Sequence, residues 1–144
     1  MIETFTVSTQ NQQLVEITAQ LQSLLSRAKR DSGLLTLFIQ HTSASLIIQE
    51  NADPSVQHDL LNWINRLVPE NSTEFTHTSE GPDDMPAHIK SMLTQTSVSI
   101  PFQARRLLLG TWQGIFLFEH RRGAHQRKII AHFVGFGTNQ GYFS

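Results

Sequence analysis

Residues 34–50, LLTLFIQHTSASLIIQE, decide the fold. Leu34 to Gln40 is apolar on both faces, the pattern of a strand covered on both sides at the middle of a sheet. His41-Thr42-Ser43-Ala44 breaks the run. Ser45 to Glu50 resumes it as a second strand, expected antiparallel to the first. Side chains alternate along a strand, so His41 continues the face of Leu35, Leu37 and Ile39. It is expected to emerge, firmly held, at the end of a core strand.

Upstream, residues 2–8 alternate with Phe5 and Val7 on one face, an edge-strand pattern. Asn11-Gln12 reads as a turn, and Gln13 to Ile17 as a short strand. Thr18 is placed to cap a helix through Arg30, with Leu21, Leu24, Leu25 and Ala28 along one stripe. Downstream, Asp53 as N-cap and Pro54 at the first position open a helix through Leu67, with Val56, Leu60, Ile64 and Leu67 inward. Pro69 ends it. A third helix is expected over 86–96 with Ile89, Met92 and Leu93 inward. The remainder reads as β: Ser97 to Ile100, Arg105 to Leu109, then Thr111 to His120 and Arg127 to Phe136 as a hairpin about a basic turn. The pattern is α+β, one domain over residues 1–144 with three helices.

Composition narrows the function. With 39% hydrophobic and 16% charged residues and a net charge of −1, the 144-residue chain has no basic footprint for nucleic acid. It has no cysteine, which excludes disulfides, thiolate nucleophiles and cysteine-based zinc sites. No run approaches the roughly 18 apolar residues of a membrane span. MIETFTVSTQ lacks the basic-then-apolar character of a signal peptide, so a cytoplasmic protein without membrane or nucleic-acid partners is expected.

The polar stretch His77–Lys90, HTSEGPDDMPAHIK, cannot build core and is suited to build a site. Gly81-Pro82 imposes a turn, and Pro86 suits the first turn of a helix, which places His88 there too. The partial positive charge of a helix N-terminus favours the neutral imidazole that ligates metals. His41, His77 and His88, leaving a strand end, a loop and a helix, are the candidate ligands of a divalent metal, zinc or magnesium. Asp83 and Asp84 fit either a helix cap or a hard cation such as Mg²⁺. Asp53 has a sufficient explanation as a cap. Glu119 follows Ile115 and Leu117 on a strand that reads as buried, so it needs a partner, and Gln113 shares its face. His58, His120, His125 and His132 read as ordinary polar histidines. Lys90, Arg105 and Arg106 are the cations on offer to a phosphate.

Three runs, HTSASLIIQENADPSVQHDL, HTSEGPDDMPAHIK and LGTWQGIFLFEH, resemble the signature blocks of the YjbQ-like proteins, also labelled secondary thiamine-phosphate synthase. The resemblance covers Phe5 to Val134 in order. It implies a compact α+β domain with a strongly bent mixed or antiparallel sheet, assembled as a homotrimer with sites close to subunit boundaries. It carries His41, Asn51, Asp53, His77, Glu80, Asp83, Asp84, His88, Gln113 and Glu119 over as block members without assigning them roles. His120 departs from the pattern, which has an aromatic residue there, and is left outside the site. The implied activity joins a pyrimidine pyrophosphate to a thiazole phosphate and releases pyrophosphate, so a small phosphorylated ligand is expected. The alternatives are a non-catalytic trimer that binds metal or a small ligand, and a metal-dependent hydrolase.

Overall fold

The computed structural model describes residues 1–137. Its elements run β1 (Ile2–Thr9), β2 (Gln13–Glu16), α1 (Thr18–Arg27), β3 (Ser32–Ile39), β4 (Ala44–Glu50), α2 (Pro54–Leu67), α3 (Asp84–Leu93), β5 (Ser97–Gln103), β6 (Arg106–Leu107), β7 (Gln113–Glu119) and β8 (His125–Phe136). The strands form two sheets, in the orders β1-β8-β3-β5-β6 and β2-β7-β4. Every named pairing is antiparallel. The architecture is α+β with three helices, as the pattern predicts.

Each sheet turns one apolar face inward. Leu35, Leu37 and Ile39 of β3 stand opposite Phe133, Ala131 and Ile129 of β8, all buried. Leu46 of β4 pairs with Leu117 of β7 on the facing sheet. Leu21 and Leu25 of α1 join the same core. Non-directional burial of these side chains is the main favourable contribution to folding.

Two expected pairings do not form: β3 with β4, and β7 with β8. In each case the two strands lie in different sheets. The breaks at His41–Ser43 and His120–Ala124 are therefore corners, where the chain crosses from one sheet to the other. The corners touch: the His120 N–H donates to the Ser43 carbonyl at 3.3 Å. A buried ion pair between Glu119 on β7 and Arg127 on β8 fastens the sheets at the same end.

Cover also differs from expectation. β7, which also reads as buried, is covered on both faces, but β3 is covered on one only. Ile115 and Leu117 face the main core, while Phe116 and Phe118 pack with Leu14 and Ile64 beneath α2. On β3, Leu34 and Phe38 face outward and are exposed, with Val134 and Phe136 of β8 on the same surface. On α2 only Ile64 of the expected stripe is fully buried, and Leu67 is exposed. Helix α3 starts two residues early and is turned the other way. Its buried side carries Asp84, Pro86, Ala87, Lys90 and Ser91, while Met92 and Leu93 face outward. Polar partners explain the rotation. Lys90 donates to Asn65, and Thr94 donates to Ser45 Oγ at 2.7 Å. The Arg105–Leu109 strand shrinks to Arg106–Leu107 because Ala104 and Arg105 form the turn into it, both at positive φ.

Candidate metal centre

The two corners and the N-terminal end of α3 meet at one place. The connection from α2 to α3 carries no helix or strand between Leu67 and Asp84. Its neck is tied by one residue of the second corner. Arg122 pairs through its guanidinium with Glu70 at 2.6 Å, and its backbone N–H donates to Asp83 Oδ2 at 2.9 Å. Arg121 next door donates to the Glu80 carbonyl at 2.9 Å and to Asp83 Oδ2 at 3.2 Å, and its Nη1 lies 3.4 Å from Asp84 Oδ1.

Four donors converge there: His77, Glu80, Asp84 and His88, with one ligand atom from each lying within 4.8 Å of the others. Asp84 Oδ2 is the hub, 2.8 Å from His77 Nε2 and 3.1 Å from His88 Nε2. Glu80 Oε2 stands 3.6 Å from His77 Nε2 and is exposed at the mouth. The His88 ring is oriented from behind. Its Nδ1 donates to the Thr42 carbonyl at 3.0 Å, which leaves Nε2, 3.1 Å from Asp84 Oδ2, as the ring nitrogen turned to the cluster. A metal-ligating imidazole is commonly fixed by a carbonyl in this way. Burial acts to raise the Asp84 pKa, but hydrogen bonds with His77 and Glu80, then the charges of His88 and Arg121, outweigh it and hold the carboxyl below the usual range. Two imidazoles and an ionised carboxylate are a donor set that zinc accepts.

The expected ligand trio is thus only partly assembled. His77 and His88 come together, with ring centroids 5.5 Å apart. His41 is not among the converging donors. Its Nε2 accepts the Lys128 N–H at 2.7 Å, and burial, then the Arg127 charge, lower its pKa. What the first corner contributes is the carbonyl of the next residue, Thr42. Asp83 and Asp84 diverge: Asp84 faces the histidines and Asp83 the two arginines. Neither is a side-chain cap, and His88 lies beyond the first turn because α3 begins at Asp84.

Asn51, Asp53 and Gln113 lie at the other end of the small sheet. In the β4–β7 ladder Glu119 stands opposite Ala44 and Gln113 opposite Glu50. Six residues of strand separate the two ends by about 20 Å. There, Asn51 donates to Glu16, Asp53 caps α2 by accepting the Ser55 N–H at 2.9 Å, and Gln113 accepts the Gly110 N–H at 2.7 Å. Glu119 is near the cluster but fully engaged, accepting from Thr9, Arg127 and the Arg121 N–H. His120, read as an ordinary polar histidine, is buried and shares a 2.9 Å hydrogen bond with Ser45 Oγ. Arg121 and Arg122 escaped the sequence reading as a solvated basic turn. The signal for them was a basic pair matching the acidic pair Asp83-Asp84. Of the cations offered to phosphate, Lys90 is buried against Asn65 and Arg105 pairs with Asp31.

A bent antiparallel α+β fold with a histidine–carboxylate cluster at its corners defines the class. The family model for UPF0047 protein YjbQ-like matches residues 3–136, and the chain belongs to that family. It is 50% identical over 133 residues to a UPF0047 protein of Synechocystis sp., covering 92% of this chain and 90% of that one. It is 43% identical over 134 residues to the UPF0047 protein YjbQ of Escherichia coli O157:H7, covering 92% and 96%. Among solved structures it resembles an uncharacterized YjbQ/UPF0047 protein of Clostridium acetobutylicum, with TM-score 0.84, 30% identity and coverage of 92% and 99%. A conserved hypothetical protein of Thermus thermophilus matches with TM-score 0.83, 33% identity and the same coverage. No helix of the described residues is long and apolar enough to cross a membrane.

Proposed function

We propose that the protein is a divalent-metal-dependent enzyme acting on a phosphorylated small molecule, with His77, Asp84 and His88 holding the cation and Glu80 completing the set. The convergence of these four donors on one point carries the proposal. A bound divalent cation supplies stabilisation of negative charge on phosphate oxygens. Asp84 holds the two imidazoles in register. Thr42 fixes the His88 tautomer, and Arg121 braces the far oxygen of Asp84. Glu80 stands exposed at the mouth, 3.6 Å from His77 Nε2, between the cluster and solvent.

The named candidate reaction is thiamine-phosphate formation, in which a thiazole nitrogen bonds to the methylene carbon attached to the pyrimidine ring as that carbon's bond to pyrophosphate breaks. It needs charge stabilisation on the leaving pyrophosphate, which is what a cation at this cluster offers. The test is product formation from the two purified substrates with Zn²⁺, Mg²⁺ or no metal. Turnover with one metal, lost in Asp84→Asn, supports the proposal. No turnover above a heat-inactivated control with any metal sinks this reaction.

A metal-dependent hydrolase is the second reading, favoured by Glu80. An exposed carboxylate beside two imidazoles is placed to take a proton from water. Hydrolysis of simple phosphate esters, abolished by Glu80→Gln with metal still bound, would select it over transfer.

A further inference from the structure

We propose, resting on the metal-dependent reading above, that the recess enclosed by the α2–α3 connection is the substrate pocket of this centre. We infer further that it takes a small flat ring bearing a hydrogen-bond donor. The recess measures about 260 Å³ and shares His77 with the metal cluster. A molecule seated in it therefore touches one donor of the cluster and can place a second group there.

Its walls set the ligand's chemistry. Phe75, Pro82 and Met85 are apolar and suit the faces of a ring. Ser72, Thr78 and Glu70 supply the polar contacts. The Glu70 carboxylate accepts from Arg122 yet retains further lone pairs, so a ligand N–H or O–H finds an acceptor. The Arg122 hydrogen bond lowers the Glu70 pKa against the smaller opposing effect of burial, so Glu70 stays ionised at neutral pH. Among the described residues no Lys or Arg lines the recess, so the phosphate of a substrate is directed out of it and towards the cation.

Size limits what the recess holds. A cavity of about 150 Å³ holds benzene, so the part of a ligand seated in this recess is one ring with a substituent. The shape is built rather than incidental. A connection this long without helix or strand is uncommon in a compact domain unless functional, and here Arg122 ties both its ends.

The test is a chemical-shift titration of the ¹⁵N-labelled protein with aniline, a ring with a donor. N,N-dimethylaniline keeps the ring without the donor, and cyclohexanol keeps a donor without the flat ring. Saturable aniline shifts confined to residues 70–85, at least threefold tighter than for either control, support the proposal. In Ser72→Leu the added side chain fills the recess and abolishes them, while zinc content per chain stays at the wild-type ratio. Thr78→Val, which removes a hydroxyl without changing volume, weakens them and serves if Ser72→Leu misfolds. Equal binding of the three probes, shifts outside the connection, or shifts unchanged in both variants overturn it. Saturable aniline shifts in a protein that binds no zinc uphold the recess and overturn only the metal reading.

Discussion

At the scale of single residues, charge satisfaction decides the site. Asp84 serves two imidazoles and a guanidinium at once, so its neutral isostere removes the hub. Asp84→Asn is expected to weaken zinc binding by at least about 100-fold, above the range typical of losing an outer partner of a ligand. Zinc content after dialysis, with a competing chelator, measures it. Arg127→Met leaves the Glu119 carboxylate buried with an empty side and is expected to cost about 3–5 kcal/mol, read from urea unfolding. His120 gives a pH signature. Burial, then the charge of Lys90, pushes its imidazole down to about 3. The unfolded ring takes a proton near 6.5. Between these values the unfolded state binds the extra proton, so stability is full above about pH 6.5 and falls as pH drops, by up to about 1.4 kcal/mol per unit. His120→Phe should remove that limb and leave the loss at lower pH, where Glu119 and Asp84, both held below their usual values, become protonated. Denaturation midpoints of both proteins across pH 3–8 check this.

At the scale of elements, backbone conformation matters more than side-chain chemistry. The β5–β6 turn places Ala104 at φ 51° and Arg105 at φ 61°. A two-residue turn with both residues at positive φ favours Asn-Gly. Arg105 is retained there by its tie to Asp31, at 2.8 Å. Ala104 has no such tie, so Ala104→Gly is expected to stabilise by about 0.5–1 kcal/mol. At the β3–β8 crossing, Gly33 and Gly135 face each other. A Cβ on Gly33 would lie 1.9 Å from the Val134 carbonyl oxygen. Gly33→Ala is therefore expected to destabilise by about 1–3 kcal/mol, the cost of overpacking. Urea midpoints resolve both.

At the scale of the molecule, the bare outer face of the large sheet is the feature in need of cover. Leu34 and Val134 stand directly opposite each other on it, with Phe136 next along β8 and Phe38 beyond the Thr36–His132 pair. Exposed apolar side chains grouped on one sheet face fit an interaction site, and a homotrimer is the expected assembly. Light scattering should give three times the 16.3 kDa chain mass. Phe38→Glu with Val134→Glu should lower it towards one chain. A wild-type monomer at micromolar concentration would refute the trimer.

What the sequence determined by itself was local. Asp53-Pro54 set the start of α2, and apolar spacing set α1. Alternation marked β1 and β5, and the fourteen residues from His77 contained all four converging donors. These signals are short-range: a cap, a helical period, an alternation, a run dense in histidines and carboxylates. Tertiary structure decided what distant segments do to one another. β3 and β4 lie in two sheets because both edges of β3 are taken, by β8 and β5, while β4 pairs with β7. The same crossing puts the Thr42 carbonyl behind His88, holds His41 on Lys128 instead, and brings Arg121 and Arg122 to Asp83 and Asp84. It also turned α3 over. Lys90 and Thr94 found partners on α2 and β4, and buried polar groups go where hydrogen bonds exist. The helical period places residues on one face of a helix, but only those partners determine which face looks inward.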